Sequence, residues 1–470
     1  MKPNILFIVI DSFRSDKFYG NNKTSITPNI DSLIKNGTYF SQAISHAPLT
    51  VPSFSSIFTG LYPFESVVRE KNIIKINPNN ITYIENLKDF GYGLYASMPK
   101  LFSYLGLEKI FGGDIMTYES FETLYGGLGE RIVDRLNSKN MKEPWIYYIH
   151  LLDLHGKEKS FLNEIPKEFH NKKFGVNQYE QMVSAIDVWI GKFLEALNLK
   201  KTLIVLTADH GSDAASWTSK MEKFAQINIE KRAFEPGIIH KMAMRIPKSL
   251  IPFRKKLSQK YKENRDKIIY QRIKPELEKI KNLDLMPYEK RVMQNAVTVI
   301  PKVYEEMCRV PLIFAGYGIS QGKIIPQQVS SVDIFSTIAE IVGLPNKKEK
   351  IHGRSLIPLI KGKNLEEIPV YIESGVDSSS SVNNVIGIRT SKYKYFRNRQ
   401  NNDSNVHLYD LSKDALEQDN IAKQNPEIVQ EMENILKNIT NSSSLKSDKE
   451  EFSNDEIKKI EEELRKLGYI

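Results

Sequence analysis

Ile5-Leu6-Phe7-Ile8-Val9-Ile10-Asp11-Ser12-Phe13-Arg14 is the stretch on which the fold class turns. Six apolar residues run directly into an acid, a hydroxyl and a guanidinium. The run is far shorter than the ~20 apolar residues of a membrane span and has no small-residue cleavage site after it. It is expected to be a core strand rather than a signal peptide, buried on both faces as strands of parallel sheets are.

The same texture recurs along the chain. Trp145–Leu152 (WIYYIHLL), Leu203–Leu206 and Val310–Ala315 read as further buried strands. Between them lie stretches of helical period. Pro28–Asn36 is followed by Gly37, and Pro52–Phe58 carries proline in its first turn. Ile84–Phe90 stops at Gly91, Gln178–Leu197 is long and amphipathic, and Val332–Val342 is closed by Gly343. Alternating strands and helices predict an α/β fold around a mostly parallel sheet. Towards the C-terminus, Lys392–Arg397 and Val406–Leu411 flank the polar stretch Asn398–Asn405, which predicts a small antiparallel sheet with a long hairpin loop. Pro426–Ile439 reads as a helix, Asn441–Ser447 as a linker, and Asp455–Leu467 as a charged helix with Ile457, Ile460, Leu464 and Leu467 on one stripe. The division expected is a catalytic α/β domain over 1–370, a small sheet and helix over 371–440, and a linker with its helix over 441–470.

Composition narrows the function classes. With 470 residues, 41% of them hydrophobic, the chain is long enough to bury a large core. Cys308 is its only cysteine, so no internal disulfide forms, and a cytoplasmic protein, peripheral to a membrane at most, is expected. The net charge of +9 is concentrated in one place: Thr218 to Lys302 holds 21 Lys and Arg against 9 Asp and Glu, a local +12. That segment reads as a basic helical insertion over about 214–302, with Arg254-Lys255-Lys256 and a helix Leu257–Ile280. It is either a solvated excursion or a docking arm for an anionic glycan or membrane surface. No nucleic-acid-binding motif accompanies it, and no nucleic acid partner is expected.

Three polar clusters follow predicted buried strands: Asp11-Ser12-Phe13-Arg14, His150 with Asp153 and His155, and Asp209-His210-Gly211. In an open α/β sheet the C-terminal strand ends are where ligands bind. Asp with His at such positions suits a divalent metal, carboxylates being hard ligands and imidazole a borderline one. A fourth cluster, Ala47-Pro48-Leu49-Thr50-Val51-Pro52-Ser53-Phe54, places a hydroxyl two residues before a helix-opening proline. Taken alone, Thr50 reads as an N-cap. The helix N-terminus there is also a place suited to binding an anion and to lowering the pKa of a metal-bound hydroxyl.

In order, the blocks PNILFIVIDSFRSDKFYG (3–20), TPNIDSLIKNGTYFSQA (27–43), APLTVPSFSSIFTGLYP (47–63), TADHGSD (207–213), YEEMCRVPLIF (304–314) and HGRSLIPLI (352–360) resemble the sulfatase family of the alkaline phosphatase superfamily. IRTSKYKYF (388–396), LYDLSKDALEQDNIA (408–422) and EEELRKLGYI (461–470) resemble its C-terminal blocks. The resemblance implies a sulfatase-like central sheet flanked by helices. It implies Asp11, Asp209 and His210 as metal ligands and Thr50 at the nucleophile position, also on the metal. Arg14 and His155 fall at catalytic contacts to substrate or leaving group, and Lys302 could replace a basic residue found slightly upstream. Lys100 and His150 are expected to bind substrate.

Two departures from that pattern bear on the chemistry. Sulfatases oxidise Cys or Ser at the nucleophile position to formylglycine. Thr50 carries a Cβ methyl and cannot give the aldehyde, and the arginine ending the motif is Phe54. Thr instead resembles the phosphoryl-handling branches of the superfamily. Ser12 replaces a second Asp, so one divalent ion is expected, with Ca²⁺, Mn²⁺, Mg²⁺ and Zn²⁺ left open. The expected function is metal-dependent hydrolysis or transfer on a phosphate or sulfate ester, phosphoesters favoured. The alternatives are a sulfuric ester hydrolase without formylglycine and a catalytically silent relative that binds an anionic glycan or lipid.

Overall fold

The computed structural model describes residues 2–21, 23–70, 73–112, 114–138, 140–155, 165–213, 221, 271, 274–275, 277–298, 303–319, 322–345, 351–374, 384–441, 457–460 and 462. Among these, Asn4–Ile10 is the strand its apolar run predicts, every residue of it buried. It pairs in parallel with Trp145–Leu151 on one side and Thr202–Thr207 on the other. These three form the middle of an eight-stranded sheet. Gly93–Pro99 and Ile115–Tyr118 extend it in parallel at one edge. Leu312–Gly316, Gly37–Phe40 and Lys323–Ile325 extend it at the other, with Leu312–Gly316 antiparallel to both its neighbours.

Helices cover the sheet. Thr50–Thr59 and Asp333–Val342 pack together, and Phe7 from the central strand meets Phe58 and Phe335 edge-on at 6.4 and 5.3 Å. Pro28–Lys35, Leu128–Asn137 and Gln178–Glu195 form a second packed group. Asp187, on the last of these, accepts hydrogen bonds from the N–H groups of Asn29 and Ile30 and so satisfies the exposed start of Pro28–Lys35.

The C-terminal sheet has four antiparallel strands, Val370–Glu373, Val385–Arg389, Tyr393–Asn398 and His407–Asp410. The last two are the expected hairpin, with Tyr393 opposite Asp410 and Phe396 opposite His407. Helix Pro426–Asn441 lies against this sheet, fastened where Arg397 and Tyr395 converge on Glu433. Ile457 and Ile460 are buried against the main core, while the rest of the predicted stripe lies outside the described residues. So does most of the basic insertion, including Arg254-Lys255-Lys256 and most of the predicted helix Leu257–Ile280, whose described residues 271, 274–275 and 277–280 are helical. Its described end is the helix Pro287–Thr298, and Met221, Ile280, Tyr288, Val292 and Met293 make a small core of their own. No helix among the described residues is long and apolar enough to cross a membrane.

Candidate active site

Three adjacent parallel strands deliver the site at their C-terminal ends. Asp11 follows Asn4–Ile10, His150 lies at the end of Trp145–Leu151, and Asp209 and His210 follow Thr202–Thr207. Register sets Val9 opposite Thr207 and His150, so the residues just beyond converge. One ligand atom from each of Asp11, Asp209 and His210 lies within 4.8 Å of the other two. Both carboxylates are fully buried.

Thr50 completes the centre. It is the first residue of helix Thr50–Thr59, and Leu49 rather than Thr50 is the N-cap. Its hydroxyl lies 3.2 Å from Asp11 Oδ2 and 3.3 Å from His210 Nε2. The loop that carries it is pinned. Ser53 Oγ donates to the Ala47 carbonyl at 2.8 Å, Ser45 Oγ lies 3.0 Å from Ser53 Oγ, and His46 Nδ1 donates to the Tyr371 carbonyl at 2.6 Å. Burial lowers the His46 imidazole to about 4, which keeps it neutral at ordinary pH.

The orientation of each ligand is explicit. His210 Nδ1 lies 2.8 Å from the Gly211 carbonyl, which only accepts, so Nδ1 carries a hydrogen and Nε2 faces Thr50. Asp209 Oδ1 accepts the N–H of His210 at 2.7 Å and that of Ser12 at 3.2 Å. Asp209 Oδ2 has no hydrogen-bond partner among the described residues. Burial pushes the Asp209 carboxyl up, and the neighbouring Asp11 charge adds to this. Burial would raise Asp11 too, but the imidazoles of His155, His150 and His210 hold it well below the ordinary carboxylate range. For His210, burial works downward and is outweighed by Asp209 and Asp11, which raise its pKa. A buried carboxylate oxygen without a hydrogen-bond partner among the described residues, 3.5 Å from the His210 imidazole and beside a second carboxylate, belongs to a donor set that fits a divalent cation.

The remaining predicted residues are placed as follows. His150 Nε2 is 3.7 Å from Asp11 Oδ2, and its Nδ1 is 2.5 Å from the Tyr148 hydroxyl. His155 lies close enough to act on the Asp11 charge. Arg14 forms a fork with Asp16, both contacts at 2.8 Å, and reaches the Ser212 carbonyl at 3.3 Å and the Tyr288 hydroxyl at 3.4 Å. Lys100 begins the turn after Gly93–Pro99 and pairs with Glu119 at 3.3 Å. Two residues further, Phe102 packs edge-on against His150 at 4.6 Å. Lys302 lies outside the described residues.

Several participants had no separate signal in the sequence. Tyr179 donates to the Ser12 carbonyl at 2.7 Å and accepts the Arg14 N–H at 3.0 Å. Tyr148 could have been found from strand alternation, since it shares a face with His150. Gly211 is held by the helix Glu305–Cys308: its N–H donates to the Met307 carbonyl at 2.8 Å, and a Cβ there would meet the Glu306 carbonyl at 2.0 Å.

An α/β sheet with an acid, acid, imidazole and hydroxyl centre at its strand ends defines a class of ester-cleaving enzymes, and the comparisons with known proteins specify it. The Sulfatase family model matches residues 3–344, and the one described as N-sulphoglucosamine sulphohydrolase, C-terminal, matches residues 301–442. Arylsulfatase K of Gallus gallus is 23% identical over 469 residues, covering 94% of this chain and 83% of that protein. A putative sulfatase from Bacteroides thetaiotaomicron superposes with a TM-score of 0.62 at 20% identity, over 96% of each chain. The phosphonate monoester hydrolase of Agrobacterium radiobacter superposes with a TM-score of 0.59 at 15% identity, over 94% of this chain and 96% of that one. The chain belongs to the sulfatase family and has its α/β fold.

Proposed function

We propose that the protein is a metal-dependent hydrolase or transferase of anionic esters, phosphoesters before sulfate esters, with Thr50 as the nucleophile. One observation carries the reading: the Thr50 hydroxyl sits at the first position of a ten-residue helix, between Asp11 Oδ2 and His210 Nε2. Asp11, Asp209, His210 and Thr50 would hold the ion. When bound, it supplies charge neutralisation and favours the ionised hydroxyl. Thr50 attacks phosphorus in line, forming the Oγ–P bond as the bond to the leaving oxygen breaks. The helix N-terminus contributes partial positive charge beside the anionic ester. His155 assists the departing oxygen. Water or an acceptor hydroxyl then displaces Thr50 and takes the phosphoryl group. Fixed groups and charge neutralisation dominate such chemistry.

The curated relative's name, arylsulfatase, supports sulfate esters as the second reading. The Cβ methyl of Thr50 separates the two. Without an aldehyde hydrate, a sulfated Thr50 needs a second displacement at sulfur, which is slower. The test is intact-mass spectrometry after rapid quench with reactive phosphate, phosphonate and sulfate esters. A phosphoryl adduct on the wild type, missing from Thr50→Ala, is expected. Undiminished turnover by Thr50→Ala would falsify the nucleophile.

A further inference from the structure

Glu373 ends the first strand of the C-terminal sheet, fully buried, and holds two guanidiniums at once. Arg69 Nη2 donates to its Oε1 at 2.5 Å, Arg399 Nη2 donates to its Oε2 at 2.7 Å, and the Tyr371 hydroxyl donates to Oε2 at 2.8 Å. Burial alone would raise the Glu373 carboxyl, but Arg399 and Arg69 outweigh it and hold the group at about 2, so it stays ionised. One arginine would neutralise it; two leave a charge of +1. That excess faces solvent, the Arg69 and Arg399 side chains being 31% and 27% exposed. Arg399 is fixed on Asn384, donating from Nε to its Oδ1 at 2.9 Å and from its N–H to its carbonyl at 2.8 Å. Arg69 makes no other hydrogen bond or ion pair among the described residues, so its Nε and Nη1 donors remain for a ligand.

Two routes along the chain set this pair beside the reaction centre. The Glu373 N–H donates to the His46 carbonyl at 2.9 Å, and His46 stands four residues before Thr50, a span of at most about 14 Å. Arg69 arrives along the Thr50–Thr59 helix. At the far end of that helix the Gly60 carbonyl accepts the His352 N–H, and His352 pairs with Glu65. The next residue, Ser66, is already back at mid-helix, where its carbonyl accepts the Ser55 hydroxyl at 2.5 Å. Strand Val67–Glu70 then continues towards the end that carries Thr50. We propose, resting on the ester reading above, that Arg69 and Arg399 form a second anion site, which takes a carboxylate, sulfate or phosphate group borne by the same molecule as the ester that Thr50 attacks. Guanidinium forks suit such oxyanions, and both forks here stand around one carboxylate's width. The substrates are then molecules with at least two anionic groups.

The test needs no turnover. Alkylphosphonates have no ester bond to break, so they occupy the reaction centre as stable anions. Calorimetry on the full-length chain with Mn²⁺ compares them with ω-carboxyalkylphosphonates of matched chain length, over a series of lengths. At the lengths that reach the arginines, the carboxylate should tighten binding about fivefold, and added salt should erode the gain. Arg69→Gln and Arg399→Gln should each abolish it. The ratio of two ligands on one protein cancels any general loss of folded material, so it reads the site and not stability. Phenylglyoxal modification, mapped by peptide mass, should show Arg69 shielded by the carboxylated ligand and not by the plain one. A carboxylate that adds nothing at any length, or a gain that survives both substitutions, overturns the second site and leaves the ester reading standing. Failure of the plain phosphonates to bind overturns the ester reading instead. Inorganic sulfate then probes the pair directly, and its failure to shield Arg69 overturns the second site as well.

Discussion

Asp209→Asn removes one charge from the centre and keeps the side chain's size, and its effect should change sign with metal. In the metal-free protein, ligand oxygens of Asp209 and Asp11 lie within 4.8 Å of each other, both side chains fully buried. Two unit charges at that distance repel by about 3.5 kcal/mol at an effective dielectric near 20. His210 Nε2, 3.5 Å from Asp209 Oδ2, offsets part of this when protonated. Burial and Asp11 nevertheless prevail, as the raised Asp209 pKa records. Asn keeps an Oδ1 acceptor for the N–H groups of Ser12 and His210 and turns an NH₂ donor towards Asp11. The metal-free variant should therefore be more stable than wild type by about 1–2 kcal/mol. A saturating ion reverses the order. At one hundred times its dissociation constant it adds about 2.7 kcal/mol to wild type, and it should add little to the variant. Urea unfolding of both proteins at neutral pH, with chelator and with Mn²⁺, gives all four stabilities. A metal-free variant weaker than wild type would refute the repulsion argument. An undiminished gain on adding ion would refute the ligand assignment.

Three further outcomes are expected. Gly211→Ala forces a Cβ to within 2.0 Å of the Glu306 carbonyl, so it should cost about 1–3 kcal/mol and weaken Mn²⁺ binding by displacing the carbonyl that orients His210, as denaturation and calorimetry will show. Asp333, whose carboxylate caps the N–H groups of Ser330 and Arg354, is pushed by burial from 3.8 to about 6. A raised carboxyl stabilises the fold fully below its unfolded value and loses that contribution as pH rises through the folded value. Wild type should thus lose about 3 kcal/mol relative to Asp333→Asn in going from well below pH 3.8 to well above about 6, and a pH-independent difference in urea midpoints would contradict this. Deleting residues 254–270, which stops short of Ile280 and the small core that holds Tyr288, should leave turnover of a small ester unchanged and weaken binding to an anionic polymer or vesicle, with the difference vanishing as salt shortens the screening length. Equal binding at every ionic strength would reject a docking role for the segment.

The parts legible in the sequence share a physical cause. Asn4–Ile10, Trp145–Leu151 and Thr202–Thr207 are buried on both faces, so they are written as apolar runs, and the acid or imidazole at each end stands out against them. Gly37–Phe40, Gly93–Pro99 and Ile115–Tyr118 went unread because they are short or built from small and mixed residues, and sheet pairing makes them strands. Val310–Ala315 was read as one strand, but Pro311 has no N–H to pair, and the run divides into Arg309–Val310 and Leu312–Gly316 in different sheets. In the site, the structure brings together Asp11, Asp209, His210 and Thr50, which the strand ends and the family resemblance had singled out. The hold of Ser12 on both carboxylates was not legible, since it depends on a left-handed φ that no neighbouring residue announces. Nor was the approach of Tyr288 to Arg14, which joins residues 274 positions apart.

The hydrogen bond from Gly211 to Met307 has an evolutionary meaning. It brings together two points of the catalytic unit between which residues 212–306 leave and return. A tether whose two ends are already joined places almost no length-dependent load on its host: doubling or halving a flexible loop changes its closure entropy by only about 0.6 kcal/mol. The host sheet is therefore nearly indifferent to what is spliced in there. This point, beside His210 and next to Arg14, is where a lineage can lengthen, shorten or replace an insertion while the strand ends that carry Asp11, Asp209 and His210 keep their places.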